Sequence, residues 1–593
     1  MEQHKYKYGI IGNCAFLGLV DTDANIGWMC WPRFDSSFIF GSLLDEENGG
    51  KFSIQPEWEN YESSQRYISN TNVLETTFEC EDGRFKVIDF APRFLQYERF
   101  YKPLMMVRKI VPLEGTPRIR VSCRPVGNYG EIQPVQVFGS SHIRYTGLDS
   151  PVRLTTNIPL SYVEKEQAFV LKEPKHCVLS WGVPLEGPLE SMADSFLKKT
   201  INYWRIWVLN TSIQNFHQDA VIRSALALKL HQYQDTGAII AAATTSLTEF
   251  PGSGRNWDFR FCWIRDAHYT TKALNDLSHF GILEAYANFI ENIVLNEDER
   301  FRPFYPITID KEPIEKILPL SGYNGERPVR IGNQAYEHIQ NDVYGQVLVT
   351  LLPLYIDRRL WSHGNATLNG LVKHCLNMIR VTMDEPDSGL WEFRGISQKH
   401  AYTFLFHWAG ANAARKIARS IGDVKLEEQA NEMIKASSAM IESCFDEERG
   451  VYTQAVGSLN LDASLLQLIN MGYLDPKSDR AKKHMEVLEK ELKTDSGLFY
   501  RYKHIDDFGA PESTFLVCAY WYVEALARMD RVEEAVEIFE KLLKHSNHVG
   551  LLSEDVHELS GSQYGNFPQT FSHVGLINAA FVISKKLDKP VFL

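Results

Sequence analysis

From residue 215 onward, apolar residues recur with a helical period almost to the end of the chain. The pattern predicts twelve helices, near 217–232, 266–280, 283–294, 335–355, 364–382, 401–421, 424–443, 460–470, 478–492, 513–529, 531–545 and 569–586. The connections between them narrow the fold furthest. Those after even-numbered helices are mostly short, marked by Gly281, Gly422-Asp423 and Asp530. Those after odd-numbered helices are long: 233–265, 295–334, 383–400, 444–459, 493–512 and 546–568. Twelve helices with this alternation make six antiparallel hairpins whose long loops share one end. An (α/α)6 barrel satisfies that. A solenoid of helix pairs also would, but no fixed-period self-similarity accompanies the pattern. Irregular loops gathered on one face of a rigid scaffold are where sites are built, so the six loops are read as one surface.

The first ~185 residues read as strands instead. Val73–Cys80 and Phe85–Phe90 flank Glu81-Asp82-Gly83-Arg84, and Asp-Gly between two β-rich runs is a strong hairpin signal. Further runs at Ile119–Cys123, Val135–Phe138 and Cys177–Trp181 are separated by turn clusters, which suggests an antiparallel sandwich. The expected fold class is therefore multidomain α and β: a β-sandwich over 1–190, a helical linker over 191–215 and an (α/α)6 barrel over 216–593. The length alone allows about four domains, but one barrel of twelve helices absorbs most of it.

Lys+Arg of 62 against Asp+Glu of 75 leaves a net charge of −13, which argues against nucleic-acid or anionic-membrane partners. The nine cysteines form no CxxC pair and are odd in number, a poor disulfide framework and a poor zinc site. The start, MEQHKYKYGI, lacks the apolar core of a signal peptide, and no window approaches ~20 apolar residues. The expectation is a cytoplasmic enzyme or binding protein with buried free thiols. Oligomeric state is not legible.

The long loops carry recurring Trp, Arg and carboxylate: Gly254–Asp266 (GRNWDFRFCWIRD), Arg327–Asn333, Asp387–Gly395 (DSGLWEFRG), Phe499–Tyr502, Leu551–Asp555 and Gly565–Pro568. None has a phosphate-binding glycine pattern, HExxH metal spacing or a GxSxG elbow. Carboxylates beside Trp suit glycoside hydrolysis. Trp covers the apolar C–H face of a sugar ring, and Asp and Arg bind its hydroxyls. Acetal cleavage also needs one protonated acid at the leaving oxygen and one carboxylate acting at C1.

These motifs, in this order, together with Gly9–Asn13 and Trp28–Ser36 near the start, resemble glycoside hydrolase family 15, the glucoamylase and bacterial trehalase family, over nearly the full length. The resemblance implies an inverting mechanism without redox or metal cofactor. Glu392 matches the general acid and Glu554 the general base. Arg265-Asp266 matches a pair gripping the terminal glucose. Arg501 lines the same subsite, Trp263 and Trp391 form its walls, and Trp257 is a further sugar-binding candidate. The first expectation is an exo-acting α-glucosidase that releases glucose from maltooligosaccharides. Trehalose and isomaltose-type linkages come next. A phosphorylase or a non-catalytic sugar-binding protein are the competitors from other classes. Phe404 stands where bacterial members carry a lysine, which puts leaving-group preference in doubt. Trp28 and Trp31 read as core or interface aromatics, and His268, His400, His407 and His573 as structural. The Arg327–Asn333 run divides evenly between loop shaping and sugar contact.

Overall fold

The computed structural model describes residues 3–296, 300–310, 312–360 and 366–587, so residues 364 and 365 of the helix expected at 364–382 lie outside it. Up to Trp181 the chain forms two large antiparallel sheets, one of seven strands and one of eight, and a two-stranded ribbon of Phe94–Gln96 with Arg99–Tyr101. The apolar faces of the two large sheets bury one another, as in Tyr8–Gly12, where Ile10 and Ile11 are fully buried. The expected hairpin is present as Leu74–Cys80 paired with Gly83–Phe90, in register from Leu74↔Asp89 to Cys80↔Gly83. The turn is Glu81-Asp82, one residue earlier than an Asp-Gly turn. Gly83 already belongs to the strand, at φ +144°, where a Cβ would lie 2.2 Å from the Glu114 carbonyl. The glycine serves a close strand approach rather than the turn.

Two helices accompany the sheets, α1 (Leu160–Glu164) and the connecting α2 (Leu189–Leu209). Twelve more follow: α3 (Gln218–Leu230), α4 (Ile264–Asp276), α5 (Phe280–Asn296), α6 (Val343–Ile356), α7 (Ala366–Thr382), α8 (Ala401–Ile421), α9 (Val424–Glu442), α10 (Gln467–Asn470), α11 (Asp479–Leu492), α12 (Leu516–Arg528), α13 (Val532–Leu543) and α14 (Thr570–Leu587). The even-numbered members close a ring. α4 packs on α6, α6 on α8, α8 on the 3-10 turn leading into α10, α10 on α12, α12 on α14, and α14 back on α4. This is the inner layer of an (α/α)6 barrel. Residue patterning explains the division. α12 is buried without a break from Leu516 to Ala527, as an inner helix must be. α13 buries only Ala535, Ile538, Phe539 and Leu542, the i, i+3, i+4, i+7 stripe of a helix with one wet face. α6 and α8 approach backbone to backbone at Gly345, whose added Cβ would lie 2.0 Å from the Phe406 carbonyl oxygen.

Two expected helices differ. The 335–355 helix begins only at Val343; before it comes a 3-10 turn, Gln334–Glu337, and then loop. The 460–470 helix is a 3-10 turn, Ala463–Leu466, capped by the Asp462 carboxylate, followed by a single α turn. In the first place the chain gives up regular helix where Ala335 and His338 line the barrel mouth, and in the second where Asp462 caps the turn and accepts from Trp391.

The sandwich backs onto the first and sixth long loops. Trp28 Nε1 donates to the Ala243 carbonyl at 2.8 Å, and Tyr6 Oη to the Gly565 carbonyl at 3.0 Å. Trp28 is buried at this interface, and Trp31 is buried within the sandwich, edge-on to Phe16 and Trp181. Arg260 pairs with Asp258 and also holds the Ser36 carbonyl. All nine cysteines are unpaired and eight are buried. No helix among the described residues is long and apolar enough to cross a membrane.

Candidate active site

One cavity sits at the end of the barrel where the inner helices begin. Its walls come from five of the six long loops and the helix starts that follow them; the fourth loop, 444–459, contributes no lining residue. All eight residues singled out from the sequence line it: Trp257, Trp263, Arg265, Asp266, Trp391, Glu392, Arg501 and Glu554. The free space is small, about 100 Å³.

Glu392 sits in the third loop with its backbone at φ +61°, a left-handed conformation that is costly for a residue with a side chain. Its neighbours hold it there. Asp507 accepts from the backbone N–H groups of Arg394 at 2.7 Å and Gly395 at 2.9 Å, fixing the turn just after it. One carboxylate oxygen, Oε1, takes three donors: Trp263 Nε1 at 2.7 Å, Arg265 at 3.1 Å and Gln340 Nε2 at 3.1 Å. Among the described residues, nothing pairs with Oε2. One oxygen is thus anchored and the other faces the cavity.

Arg265 and Asp266 form the first turn of α4, both 4% exposed. Arg265 spans Gln340 Oε1 at 2.7 Å, Asp342 at 3.4 Å and Glu392. Burial pushes the Asp266 carboxyl up to about 7; Arg265 opposes this and Glu392 reinforces it. No donor from another side chain reaches Asp266 among the described residues, so its acceptor capacity faces the cavity. Trp263 stacks on Phe304 with ring centroids 4.1 Å apart, which locks the indole whose N–H holds Glu392.

In the sixth loop, Glu554 lines the same cavity and is 2% exposed. Its Oε2 accepts from the Asn566 backbone N–H at 2.9 Å. Burial raises its carboxyl well above the usual glutamate range, Glu249 and Asp555 raise it further, and Arg501 pulls the other way. Gly565 makes room for it: at φ +74° an added Cβ would lie 2.5 Å from Glu554 Cβ and 2.6 Å from Oε2.

Three further neighbours belong to the site without having stood out in the sequence. Glu249 is buried, forms an ion pair with Arg501 and accepts from Trp257 Nε1 at 2.9 Å. Gln340 holds Glu392 and Arg265. Arg394 lies over the Trp257 ring at 4.5 Å and pairs with Glu315 at 2.7 Å. Arg394 lies inside the Asp387–Gly395 motif; Glu249 has no local signal, because its partner Arg501 is 252 residues away.

The remaining candidates divide. Trp391 donates to Asp462 at 2.9 Å and lines the wall. In the Arg327–Asn333 run, Arg330 ties the carbonyls of Gly254 and Asn256, a loop-shaping role, and only Asn333 reaches the cavity. The four histidines are buried, with His268 bonded to Thr350 at 2.7 Å and His573 to Ser224 at 2.9 Å. No cluster of metal-ligating side chains occurs among the described residues. Phe404 is buried in α8 and does not line the cavity.

Comparison with known proteins agrees with this geometry. The family model for glycosyl hydrolases family 15 matches residues 215–581, and a trehalase-like N-terminal model matches residues 5–163. A trehalase of Thermoplasma volcanium is 32% identical over 98% of this chain and 94% of its own length. A trehalase of Mycolicibacterium smegmatis is 30% identical over 96% of this chain and 90% of its own. A bacterial glucoamylase complexed with acarbose shares the fold at a TM-score of 0.68 and 14% identity, covering 99% of this chain and 96% of that one. A sandwich followed by a six-hairpin barrel goes together with both matched profiles: the chain belongs to glycosyl hydrolases family 15, and is a glycoside hydrolase.

Proposed function

We propose that this enzyme is a trehalase that cleaves its α-glucoside with inversion. The observation that carries the reading is full-length similarity, through sandwich and barrel alike, to relatives named trehalase. This reverses the order favoured by the motifs alone, which put maltooligosaccharides ahead of trehalose.

Glu392 acts as the acid. Its Oε1 is saturated by three donors, so the proton it delivers sits on Oε2, the oxygen that faces the cavity. As the glycosidic bond breaks, that proton passes to the leaving oxygen. Glu554 acts as the base through Oε1, the oxygen not taken by Asn566, and accepts a proton from water attacking C1 on the opposite face. Asp266 accepts from hydroxyls of the non-reducing glucose, and Arg265 keeps Glu392 in place. Trp263, Trp391, Trp257 and Arg501 complete the wall. Burial raises the proton affinity of Glu554, which strengthens it as a base once ionised.

The test is a panel of trehalose, maltose, isomaltose and maltoheptaose with glucose release measured. Trehalose is expected to give the highest kcat/KM. Maltose or maltoheptaose ahead of trehalose would restore the glucoamylase reading, and glucose 1-phosphate formed in phosphate buffer would move the enzyme to phosphorolysis.

A further inference from the structure

An attacking water held only by Glu554 is under-determined. A water that keeps one lone pair for C1 and gives one proton to the base still has a second lone pair to satisfy, and a donor there would fix its position. Most polar groups on the cavity wall are already committed. Trp257, Trp263 and Trp391 have given their N–H groups to Glu249, Glu392 and Asp462. Asn333 accepts from Ala335 N and donates to the Asp258 carbonyl. Arg394 and Arg255 are paired with Glu315 and Asp506.

Two lining groups remain: His338, whose ring nitrogens have no partner among the described residues but whose charged neighbours are Glu392 and Arg394 on the acid side, and Gln569. Gln569 lines the cavity and is 2% exposed, and its side chain makes one long hydrogen bond among the described residues, accepting at Oε1 from Thr570 Oγ1 at 3.5 Å. Its Nε2 has no protein partner among the described residues. Its place in the chain puts it beside the base. The Gln569 backbone N–H donates to the Leu552 carbonyl at 3.1 Å, and Glu554 N to the Asn566 carbonyl at 3.2 Å, so the segments carrying the two side chains run together. The backbone here is held at both ends: Thr570 N donates to the Ala241 carbonyl at 3.0 Å, and Gly565 N to the Thr248 carbonyl at 2.7 Å.

We infer that Gln569 is the second anchor of the attacking water, its Nε2–H donating to the water oxygen while the water donates to Glu554 Oε1. The inference rests on the reading of Glu554 as base. In the step, the water oxygen bonds to C1, the bond from C1 to the leaving oxygen breaks, one water proton goes to Glu554 and the Glu392 proton goes to the leaving oxygen. Both glutamates then exchange protons with solvent.

The experiment uses α-glucosyl fluoride, whose leaving group needs no protonation, alongside trehalose. Gln569→Leu keeps the volume and removes the donor. It is expected to lower kcat about 100-fold on both substrates, the scale of a misplaced reactant. Its inhibition constant for 1,5-anhydroglucitol, which has no hydroxyl at C1 and so leaves the water position unused, should stay within about 2-fold. Glu554→Gln should fail on both substrates, and Glu392→Gln only on trehalose. If Gln569→Leu keeps kcat but weakens binding of 1,5-anhydroglucitol, Gln569 is a contact to another sugar hydroxyl and the inference is overturned. If it is unchanged in both while Glu554→Gln is inactive, the inference fails and the proposed base stands. If Glu554→Gln itself retains activity, the proposed mechanism fails first.

Discussion

Gly565→Ala tests how the base is held, and its cost divides into two parts that can be measured separately. The first is backbone. At φ +74° any residue with a Cβ costs about 1–2 kcal/mol. In a chain this long that lowers Tm by only about 1–3 °C. The second is contact. The new Cβ would sit 2.5 Å from Glu554 Cβ and 2.6 Å from Oε2, where ordinary packing is about 3.5–4.0 Å. Glu554 must therefore shift by about 1 Å, a misplacement that costs on the order of 10² in rate. Gly422→Ala supplies the control. It has the same φ of +74°, at the C-terminus of α8, and its Cβ would meet nothing within 4 Å. Differential scanning fluorimetry should show similar small Tm losses for both variants. Steady-state glucose release from trehalose should fall about 100-fold for Gly565→Ala and stay unchanged for Gly422→Ala. Equal Tm losses with equal, near wild-type activity would overturn this picture, because the Glu554 carboxylate could then move without consequence.

Glu392→Gln should fold normally, since the amide oxygen can still accept from Trp263, Arg265 and Gln340, yet lose kcat on trehalose by orders of magnitude; retained activity would mean that another group is the acid. Asp266→Asn should cost activity and gain stability in a pH-dependent way. The folded carboxyl, pushed up to about 7, binds its proton more tightly than the unfolded one near ~3.9, so the stability it contributes when protonated is lost as pH rises between those values, by about 1.4 kcal/mol for each pH unit in that interval. The Tm advantage of the variant should therefore grow from about pH 4 to about pH 7 and level off above it. A constant difference would contradict the buried-charge account. The acid limb of kcat/KM should lie above the ordinary glutamate range, because Glu554 must lose a proton that burial, Glu249 and Asp555 help it keep. Glu249→Gln should move that limb to lower pH.

Much of this arrangement is legible in the sequence, because the signals are long or local. The helix expected at 401–421 is α8, Ala401–Ile421, with Gly422 in the left-handed region at its end. The alternation of loop lengths predicts the ring and the end on which the cavity opens. Glu392 and Glu554 are findable because Trp-Glu and Ser-Glu-Asp sit in loops that resemble known motifs. Pairing across hundreds of residues leaves no such trace. Glu249 lies in a stretch with no motif and becomes part of the site only through Arg501 and Trp257. Gln340 lies where a helix is expected at 335–355, because apolar periodicity does not reveal that the chain must leave helix to bring an amide to Glu392. The 460–470 segment departs from helix for a similar reason: Asp462 is committed to capping Ser464 and to holding Trp391, which breaks the helix at its start. Phe404 stands near the acid loop in the sequence, and α8 turns it into the core.

Inversion by Glu392 and Glu554 is checked head-on by proton NMR of the first glucose released from trehalose, recorded before mutarotation. Attack of water at one C1 inverts that sugar, while the leaving glucose keeps its α configuration. Equal initial amounts of β- and α-glucose are therefore expected. Initial α-glucose alone would mean a retaining mechanism and would contradict the assignment of Glu554 as a base acting through water.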